Sequence, residues 1–537
     1  MIRMGDINAI ILNPIITMRF YFKCIQGTIW FTLESKMSTM PRLIFILIFF
    51  FTGFLSANAQ ADYHVPLRPQ VHFSPKSGWM NDPNGLIYFR DEYHLFFQYY
   101  PDSIVWGPMH WGHATSKDLV HWKQEPIALY PDSLGYIFSG SAVVDERNTS
   151  GLGKDGNIPL VAIFTQHDPS GEKAGSSHYQ NQSIAYSQDA GMNWFKYAGN
   201  PVLKSPAIKD FRDPKVSWYP DQKKWIMTLT AGDRIQFYSS ENLKTWIKES
   251  EFGVNIKTKG GVWECPDLIS FDVDGKQVWL LIVSTNPGGI QRGSGTFYFT
   301  GLFDGHSFTP FDTITRWIDY GPDNYAGVTF SNTGKEKIFL GWMSNWLYGT
   351  KVPALQWRSA MTLPRTLNIK NVGGSYYTTM MPVDALDKLI TGSKSYRHIP
   401  EVKEITFTGP ARFEISLSNL YSFSLIFSNA SGQHVSAGYD EEKNAFFIDR
   451  SEAGKSDFNA RFATIHYAPR ISQSNNSTIT LILDNTSLEM FADQGLTNMT
   501  EIFFPDQPFT ILQQGSSRKP VEDIKISELS SIWSNNK

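Results

Sequence analysis

The chain has 537 residues, with 48 basic and 51 acidic side chains, a net charge of −3 and 42% hydrophobic residues. This composition excludes an intrinsically disordered chain, because such chains combine low hydrophobicity with high net charge. The near-neutral charge excludes nucleic acid as an expected partner, because binding to phosphates needs an excess of basic residues. The length predicts one large domain with a smaller one, or three modest domains.

The N-terminal region carries a secretory signal pattern. An uninterrupted apolar run at residues 43–55 is followed by Ser-Ala-Asn-Ala-Gln-Ala, which predicts cleavage after Ala59. A membrane anchor is the alternative, but a spanning helix needs ~20 apolar residues and this run is shorter. We therefore expect residues 1–59 to be an N-terminal extension and a cleaved signal peptide, with Met37 or Met40 as the true start. The mature chain would be secreted or periplasmic, without a membrane span.

The cysteines add little to this picture. The chain holds only Cys24 and Cys265, which cannot build a disulfide scaffold. Cleavage after Ala59 would leave Cys265 alone, so no internal disulfide is possible in the mature chain.

Residues 60–383 read as a succession of short strands separated by Gly, Pro, Asn and Asp, which predicts an all-β domain. A weak repeat occurs at residues 116–122, 187–194 and 240–246, where Ser, then Asp or Asn, then Trp follow a strand. A degraded fourth copy lies at 301–305. Recurrence near the spacing of a four-stranded sheet predicts propeller blades, each burying its Trp against the next blade.

The character of the chain changes after this region. Residues 384–400 are short and partly charged, which predicts a linker. From residue 401 to residue 537 several segments alternate apolar and polar side chains, as in Ala-Arg-Phe-Glu-Ile-Ser-Leu at 411–417. Alternation of this kind is typical of half-buried antiparallel strands, so we expect a β-sandwich domain.

Three acidic residues stand in distinctive surroundings. Asp82 lies in Trp-Met-Asn-Asp-Pro-Asn-Gly, Asp213 in Phe-Arg-Asp-Pro and Glu264 in Trp-Glu-Cys-Pro-Asp. Each motif alone is also typical of a tight turn or a strand end. Together they suit glycosidic chemistry, in which one carboxylate attacks the anomeric carbon and another protonates the leaving oxygen. Residues from different blades can converge around the axis of a propeller.

With these motifs the sequence resembles glycoside hydrolase family 32, which includes invertases, inulinases and levanases. The segments around Gln98, at 138–141 and at 323–326 also resemble that family. The resemblance implies a five-bladed β-propeller catalytic domain followed by a C-terminal β-sandwich. It implies that Asp82 is the nucleophile, Glu264 the general acid/base and Asp213 the stabiliser of the transition state, with retention of configuration.

A sugar presents hydroxyls and an apolar face, for which amides, hydroxyls and aromatic rings are suited partners. By resemblance, the expected substrate-binding residues are Trp79, Met80, Asn81, Gln98, Trp106, Phe138, Ser139, Arg212, Tyr325 and Trp342. For Tyr325 and Trp342 packing in the core is an equally good interpretation. Two anionic neighbours would help Glu264 to keep its proton, and Arg212 is expected to hold Asp213 ionised and in place.

A metal site or a cofactor is not expected. His110, His113 and His121 lie close together in the sequence but lack the carboxylates of a hydrolytic metal site. Cys265 has no His in its motif, so we interpret it as a packed neighbour of the acid and not as a nucleophile.

The leading hypothesis is an exported retaining hydrolase that releases terminal β-D-fructofuranosyl units from fructans, levan or inulin, and from sucrose. A sucrose-specific invertase and an endo-acting levanase are close alternatives, because the chemistry is shared and only the outer subsites differ. A silent sugar-binding protein is disfavoured because all three carboxylates are present. A propeller glycosidase acting on arabinose or xylose is disfavoured by the full motif around Asp82. Fructosyl transfer stays open, as does the oligomeric state.

Overall fold

The structure is a computed structural model that describes residues 19–25, 28–34, 63, 65–254, 256, 261–399, 403–515, 517 and 519–533. The predicted signal peptide at 43–59 lies outside these residues. The chain divides into two units, Met1–Ala61 and Asp62–Lys537. In the first unit, β1 (Arg19–Ile25) and β2 (Thr28–Glu34) pair antiparallel. Within the described ranges, no helix is long and apolar enough to cross a bilayer.

The second unit begins with five sheets in chain order. The first contains β3 (Gly78–Phe89), β4 (Glu92–Tyr100), β5 (His110–Ser116) and β6 (Lys123–Leu129). The second contains β7 (Tyr136–Val144), β8 (Leu160–His167), β9 (Gln180–Ser187) and β10 (Phe195–Lys196), with the short helix α1 (Pro169–Lys173) between β8 and β9. The third contains β11 (Phe211–Tyr219), β12 (Lys224–Ala231), β13 (Ile235–Ser240) and β14 (Ile247–Phe252), with a 3₁₀ turn at Pro220–Gln222.

The last two sheets complete the set. The fourth contains β15 (Val262–Val273), β16 (Lys276–Asn286), β17 (Gly295–Phe303) and β18 (Phe308–Pro310), and β19 (Arg316–Trp317) also pairs with β17. The fifth contains β20 (Tyr325–Thr329), β21 (Ile338–Trp342), β23 (Arg365–Val372) and β24 (Ser375–Pro382). The intervening β22 (Trp357–Arg358) runs parallel to β3 and joins the first sheet.

The five sheets close into a ring. Their first strands contact one another in the order β3, β7, β11, β15 and β20, and β20 returns to β3. A parallel bridge between Ile87 and Ser331 and the pairing of β22 with β3 join the last sheet to the first. These contacts, with each sheet antiparallel from its inner to its outer strand, confirm the predicted five-bladed propeller.

The sequence repeat corresponds to a turn between the third and fourth strands of the first three sheets. A side-chain oxygen accepts backbone amides within the turn, in Asp118, Asp189 and Asn242. The indole of the following Trp donates to a carbonyl three residues earlier, in Trp122, Trp194 and Trp246. Asp304 closes the equivalent turn between β17 and β18. The repeat therefore marks a hydrogen-bonded turn, and each Trp is fixed by its own turn as well as by packing.

The remaining strands form two six-stranded sheets. They are β25 (Ile390–Ile399), β26 (Ile405–Thr406), β27 (Ala411–Leu417), β28 (Phe423–Ser428), β29 (His434–Asp440), β30 (Ala445–Asp449), β31 (Ile465–Pro469), β32 (Ser477–Asp484), β33 (Ser487–Ala492), β34 (Thr497–Ile502), β35 (Ile511–Gln514) and β36 (Val521–Leu529). The strand orders are β25-β36-β27-β32-β33-β34 and β26-β35-β28-β29-β30-β31. Phe413, Ile415 and Leu417 alternate into a shared core, as the sequence predicts for a β-sandwich.

The segment predicted as a linker is regular structure instead. Residues Asp384–Leu389 form a 3₁₀ helix and β25 pairs with β36 at the edge of the sandwich. Most side chains of β25 are exposed, so its composition is polar although its backbone belongs to the sheet. The outer boundaries at residues 60 and 537 stay a prediction.

Buried charges join the propeller to the sandwich. Arg365 of β23 donates to Asp319 at 2.9 Å and to Glu489 of β33 at 3.1 Å. His72 lies 2.7 Å from Asp484 and 3.2 Å from the same Glu489. All five side chains are almost completely buried. Because a buried charge is costly unless it is paired, this network, which we call the interface network, fixes how the two parts meet.

Stability is expected to depend on pH through His72. Burial alone would lower the pKa of His72, but hydrogen bonds to Asp484 and Glu489 raise it to about 9. The folded pKa lies above the ordinary value of 6.5, so the stabilisation is complete below that pH and is lost as pH rises through about 9. In urea unfolding, His72→Gln should therefore be destabilised most at pH 6 and much less at pH 9. An equal loss in the free energy of unfolding at pH 6 and pH 9 would contradict the raised pKa of His72.

Candidate active site

The first strand of every blade is irregular near its start. The register against the second strand shifts between Met80 and Pro83, Ile137 and Gly140, Arg212 and Lys215, Glu264 and Asp267, and Tyr325 and Val328. A β-bulge re-aims side chains and is common beside active sites. Asp213 and Cys265 take positive φ angles of 64° and 45° within these bulges. All three predicted carboxylates therefore lie at irregular positions at one end of the central channel.

Asp82 is held by three donors. Asn81 Nδ2 donates to Oδ1 at 3.0 Å, and Ser139 Oγ donates to Oδ2 at 2.7 Å. The thiol of Cys265 lies 3.6 Å from the same Oδ2. Burial and the charge of Glu264 raise the pKa of Asp82, while these three donors oppose that rise. The donors fix the carboxylate and favour its anionic form.

Asp213 and Asp82 both contact Cys265. Cys265 donates its backbone amide to Asp213 Oδ2 at 3.0 Å, and its Sγ lies 3.6 Å from that oxygen. Burial raises the pKa of Asp213 to about 7, with Arg212 opposing the rise and Glu264 adding to it. Burial also raises the pKa of the Cys265 thiol well above its usual value, so the thiol is a neutral donor between two carboxylates.

Both carboxylate oxygens of Glu264 accept hydrogen bonds. Arg212 donates to Oε1 from Nη2 at 3.0 Å and from Nε at 3.3 Å, and the Tyr325 hydroxyl donates to Oε2. Burial, followed by the charge of Glu264, raises the pKa of Tyr325 well above its usual value, which keeps the phenol protonated as a donor. Two donors on different blades therefore orient this carboxyl group.

The principal partners of Arg212 differ from the expectation. Its guanidinium donates to Glu264 and to Asp210 Oδ1 at 2.5 Å, whereas the nearest oxygen of Asp213 lies 4.0 Å away. Arg212 lowers the pKa of Asp213, as expected, but burial has the larger effect and raises it. The guanidinium extends across the bulge and makes its shorter contact with Glu264 on the next blade.

The carboxylates line an open cavity of about 440 Å³. Six of the predicted substrate-binding residues also line it, namely Asn81, Gln98, Trp106, Phe138, Ser139 and Arg212. Trp106 is 41% exposed and lies edge-on to Phe138. Gln98 donates to Asn84 at 2.8 Å and to the Ile137 carbonyl at 3.0 Å.

The other four predicted residues lie behind the cavity wall. Trp79, Met80, Tyr325 and Trp342 are each at most 1% exposed. The indole of Trp79 donates to Asn81 at 2.7 Å, and its ring packs against Trp342. Because buried side chains cannot touch a ligand without rearrangement, the structure places these four where they position the wall residues and Glu264. For Tyr325 and Trp342 it favours the packing interpretation.

Sequence reasoning missed six further residues of the cavity: His167, Glu172, Gln180, Asp210, Asn286 and Trp346. His167 stacks on Phe138 with a centroid distance of 4.3 Å, and burial, followed by the charge of Arg212, lowers its pKa to about 4. Asp210 could have been found, because it is acidic and lies two residues before Arg212. His167, Gln180 and Asn286 lie at strand ends, Glu172 lies in α1 and Trp346 in a turn, and none of them belongs to a recognisable motif.

The three histidines considered for a metal have separate partners. His113 lies 3.1 Å from His94, His121 lies 3.0 Å from Asp118, and His110 faces the Pro108 carbonyl at 2.9 Å. Across the described ranges, no cluster of three or more His, Cys, Asp or Glu side chains is placed to hold a metal ion.

Ser139→Ala is expected to move the acidic limb of the pH profile. Removal of the hydroxyl deletes a donor that lowers the pKa of Asp82, so Asp82 will ionise at higher pH. The acidic limb of kcat/KM should therefore shift upward, while the basic limb changes less. Ser170→Ala, on α1, is the control, because Ser170 does not contact Asp82. An unchanged acidic limb would show that Ser139 does not tune Asp82.

Comparison with known proteins identifies the family. The model described as glycosyl hydrolases family 32 N-terminal domain matches residues 72–379, and that of the family 32 C-terminal domain matches residues 387–528. The chain is 42% identical to a levanase of Bacillus subtilis (strain 168) over 518 residues, covering 92% of this chain and 75% of that protein. It is 37% identical to the extracellular exo-inulinase inuE of Aspergillus niger over 517 residues, covering 88% and 96%.

A solved structure agrees with these matches. The exo-inulinase from Aspergillus awamori superposes with a TM-score of 0.81 at 36% identity and covers 88% of this chain and 100% of that one. The matched ranges include the propeller with its three carboxylates and the sandwich behind it. The chain belongs to glycosyl hydrolase family 32.

Proposed function

We propose that this protein is a retaining β-fructosidase that releases terminal β-D-fructofuranosyl units from levan, inulin or both, and from sucrose. The observation that carries the proposal is the convergence of Asp82, Asp213 and Glu264 on one cavity. Relatives named levanase and extracellular exo-inulinase support a fructan substrate, and an invertase of Schizosaccharomyces pombe, 35% identical over 519 residues, supports sucrose.

The contacts favour one assignment of catalytic roles to Asp82 and Glu264. Asp82, held by Asn81 and Ser139, attacks the anomeric carbon and forms a covalent fructosyl-enzyme. Glu264 gives its proton to the leaving oxygen, then takes a proton from the water that releases the fructose. Tyr325 and Arg212 keep Glu264 in place through both steps.

Asp213 is proposed to stabilise the transition state by accepting hydrogen bonds from sugar hydroxyls. Its backbone amide is anchored to Thr165 Oγ1 at 2.9 Å and its carboxylate to the Cys265 amide. An acceptor held this firmly needs little reorganisation during the reaction, which is how preorganised polar groups lower a barrier.

A buried cluster beyond the three carboxylates supports attack at chain ends. Just beyond the carboxylates, Lys215 forms an ion pair with Asp267 at 3.1 Å, and Asp267 accepts the Thr329 amide and hydroxyl at 2.7 Å each. This cluster, which we call the channel plug, is buried at the centre of the propeller. A cavity closed at its inner end suits a terminal sugar better than the middle of a chain.

We also infer that the protein is exported. The signal pattern at residues 43–59 and the relatives named extracellular support this inference. The domain limits proposed with it are residues 60–383 for the propeller and, because β25 belongs to the sandwich, residues 390–537 instead of 401–537 for the second domain. The matched family ranges, 72–379 and 387–528, support these limits.

Product analysis tests the function. The protein is incubated with sucrose, inulin and levan, and the products are followed by chromatography over time. Fructose alone from the start is the expected result with at least one polymer. Intermediate oligosaccharides would indicate endo attack, activity confined to sucrose would indicate an invertase, and no release from any of the three would refute the proposal.

A further inference from the structure

The propeller has a second cavity at the far end of its channel. It has a volume of about 430 Å³, similar to that of the catalytic cavity and within the range of roughly 300–1,000 Å³ that is usual for ligand sites. Its wall comes from the later residues of β7, β11, β15 and β20, whereas the carboxylates occupy the early residues of their strands. Trp218 lies five positions after Asp213 along β11, which corresponds to roughly 16 Å. The channel plug lies between the two cavities.

Aromatic rings form one side of this distal cavity. Trp218 is half-buried and meets Trp225 edge-on at a centroid distance of 5.0 Å. Trp279, 8% exposed, lies on the neighbouring blade and also lines the cavity. The indole of Trp225 donates to Thr149 at 2.9 Å. The indole nitrogen of Trp279 is buried and has no hydrogen-bond partner among the described residues.

The remaining groups suit an uncharged, hydroxyl-rich ligand. Lys215 and Asp267 neutralise each other at the floor, and Lys337 donates to the Gly334 carbonyl at 3.0 Å. The Arg147 guanidinium lies 4.8 Å from the centre of the Trp218 ring. Ser217, Ser270 and Asn332 add side-chain donors and acceptors along the wall and rim.

We propose that this distal cavity is an accessory binding site for a fructan chain. The proposal rests on the proposed function, because it assumes that the substrate is a polymer with more than one segment to bind. Aromatic faces pack against the apolar edges of sugar rings, and the hydroxyls find the polar groups beside them. A site that holds one segment of a polymer raises the local concentration of its other ends near the catalytic cavity.

Affinity electrophoresis in gels that contain levan, inulin or dextran tests the proposal. The protein carries Asp82→Asn, so that the polymer is not consumed. Trp218→Ala in this background should weaken retardation by levan or inulin about tenfold, the loss expected for one stacking contact. Trp246→Ala removes a Trp outside both cavities and should leave retardation unchanged. Retardation unaffected by Trp218→Ala, or no retardation of the parent protein, would overturn the proposal.

A second variant tests whether any loss of binding in Trp218→Ala comes from misfolding. Ser270→Trp places a large ring in the distal cavity and should weaken retardation without removing an aromatic side chain. With Asp82 intact, both variants should hydrolyse sucrose as the wild type does while losing activity on dilute polymer. If sucrose and polymer activity are both unchanged, the accessory site is refuted and the proposed function stands. If the wild type releases no fructose from any substrate, the proposed function itself fails.

Discussion

Asp82→Ala and Glu264→Ala will each reduce sucrose turnover by about 10⁴-fold or more, as is typical for the loss of a nucleophile or a general acid. Asp82→Ala removes the atom that bonds to the anomeric carbon, so no covalent intermediate can form. Glu264→Ala leaves the nucleophile in place but takes away the proton donor for the leaving oxygen. The measurement is kcat on sucrose with protein whose fold is verified by circular dichroism.

The loss of activity in Glu264→Ala should depend on the leaving group of the substrate, whereas the loss in Asp82→Ala should not. Fructosyl fluoride needs little protonation to depart, so Glu264→Ala should form the intermediate from it rapidly and hydrolyse it slowly, whereas Asp82→Ala should stay inactive. Glu241→Gln, an exposed carboxylate outside the cavity, is the matched control and should behave as the wild type. Near wild-type turnover of sucrose by either alanine variant would contradict the assignment.

Arg365→Leu will destabilise the protein by about 3–5 kcal/mol, the loss typical of breaking a buried ion pair. The substitution leaves Asp319 and Glu489 buried without their main cation, at the junction between the propeller and the sandwich. The loss should appear as a lower urea midpoint and a lower thermal transition. Activity measured below the transition should change little, because Arg365 does not line the catalytic cavity.

A surface arginine provides the control for this prediction. Arg397 lies 3.7 Å from Asp523, and the two side chains are 87% and 61% exposed. Exposed pairs contribute little, so Arg397→Leu should leave the urea midpoint almost unchanged. If Arg365→Leu lowers the urea midpoint no more than Arg397→Leu does, the interface network does not stabilise the junction between the propeller and the sandwich.

The sequence predicts this fold well where the information is local. The turn at Asp118 recurs because a carboxylate or amide oxygen two residues after a Ser, followed by a Trp, closes the same turn in each blade. The alternation of apolar and polar residues at 411–417 predicts directly which side chains of β27 face the core. Asp82 and Glu264 were recognisable because their motifs are continuous and lie within single strands.

Features that depend on distant partners were not predictable. Strand β22 has only two residues and joins a strand almost 280 positions earlier, which no local pattern reports. The polar composition of β25 concealed an edge strand. The contact from Arg212 to Glu264 joins two blades, whereas the sequence places Asp213 next to Arg212 and therefore points to Asp213 as its partner. Arg365 and Glu489 meet only because the two domains dock.

The role of Asp82 as the nucleophile is tested most directly by locating the covalent intermediate. Glu264→Ala protein is mixed with fructosyl fluoride, quenched in acid, digested and examined by mass spectrometry. One added fructosyl unit is expected on the peptide that contains Asp82, and none is expected when Asp82 is also replaced by Ala. A fructosyl unit found on Asp213 or on Cys265, or accumulation of product without any adduct, would show that Asp82 is not the nucleophile.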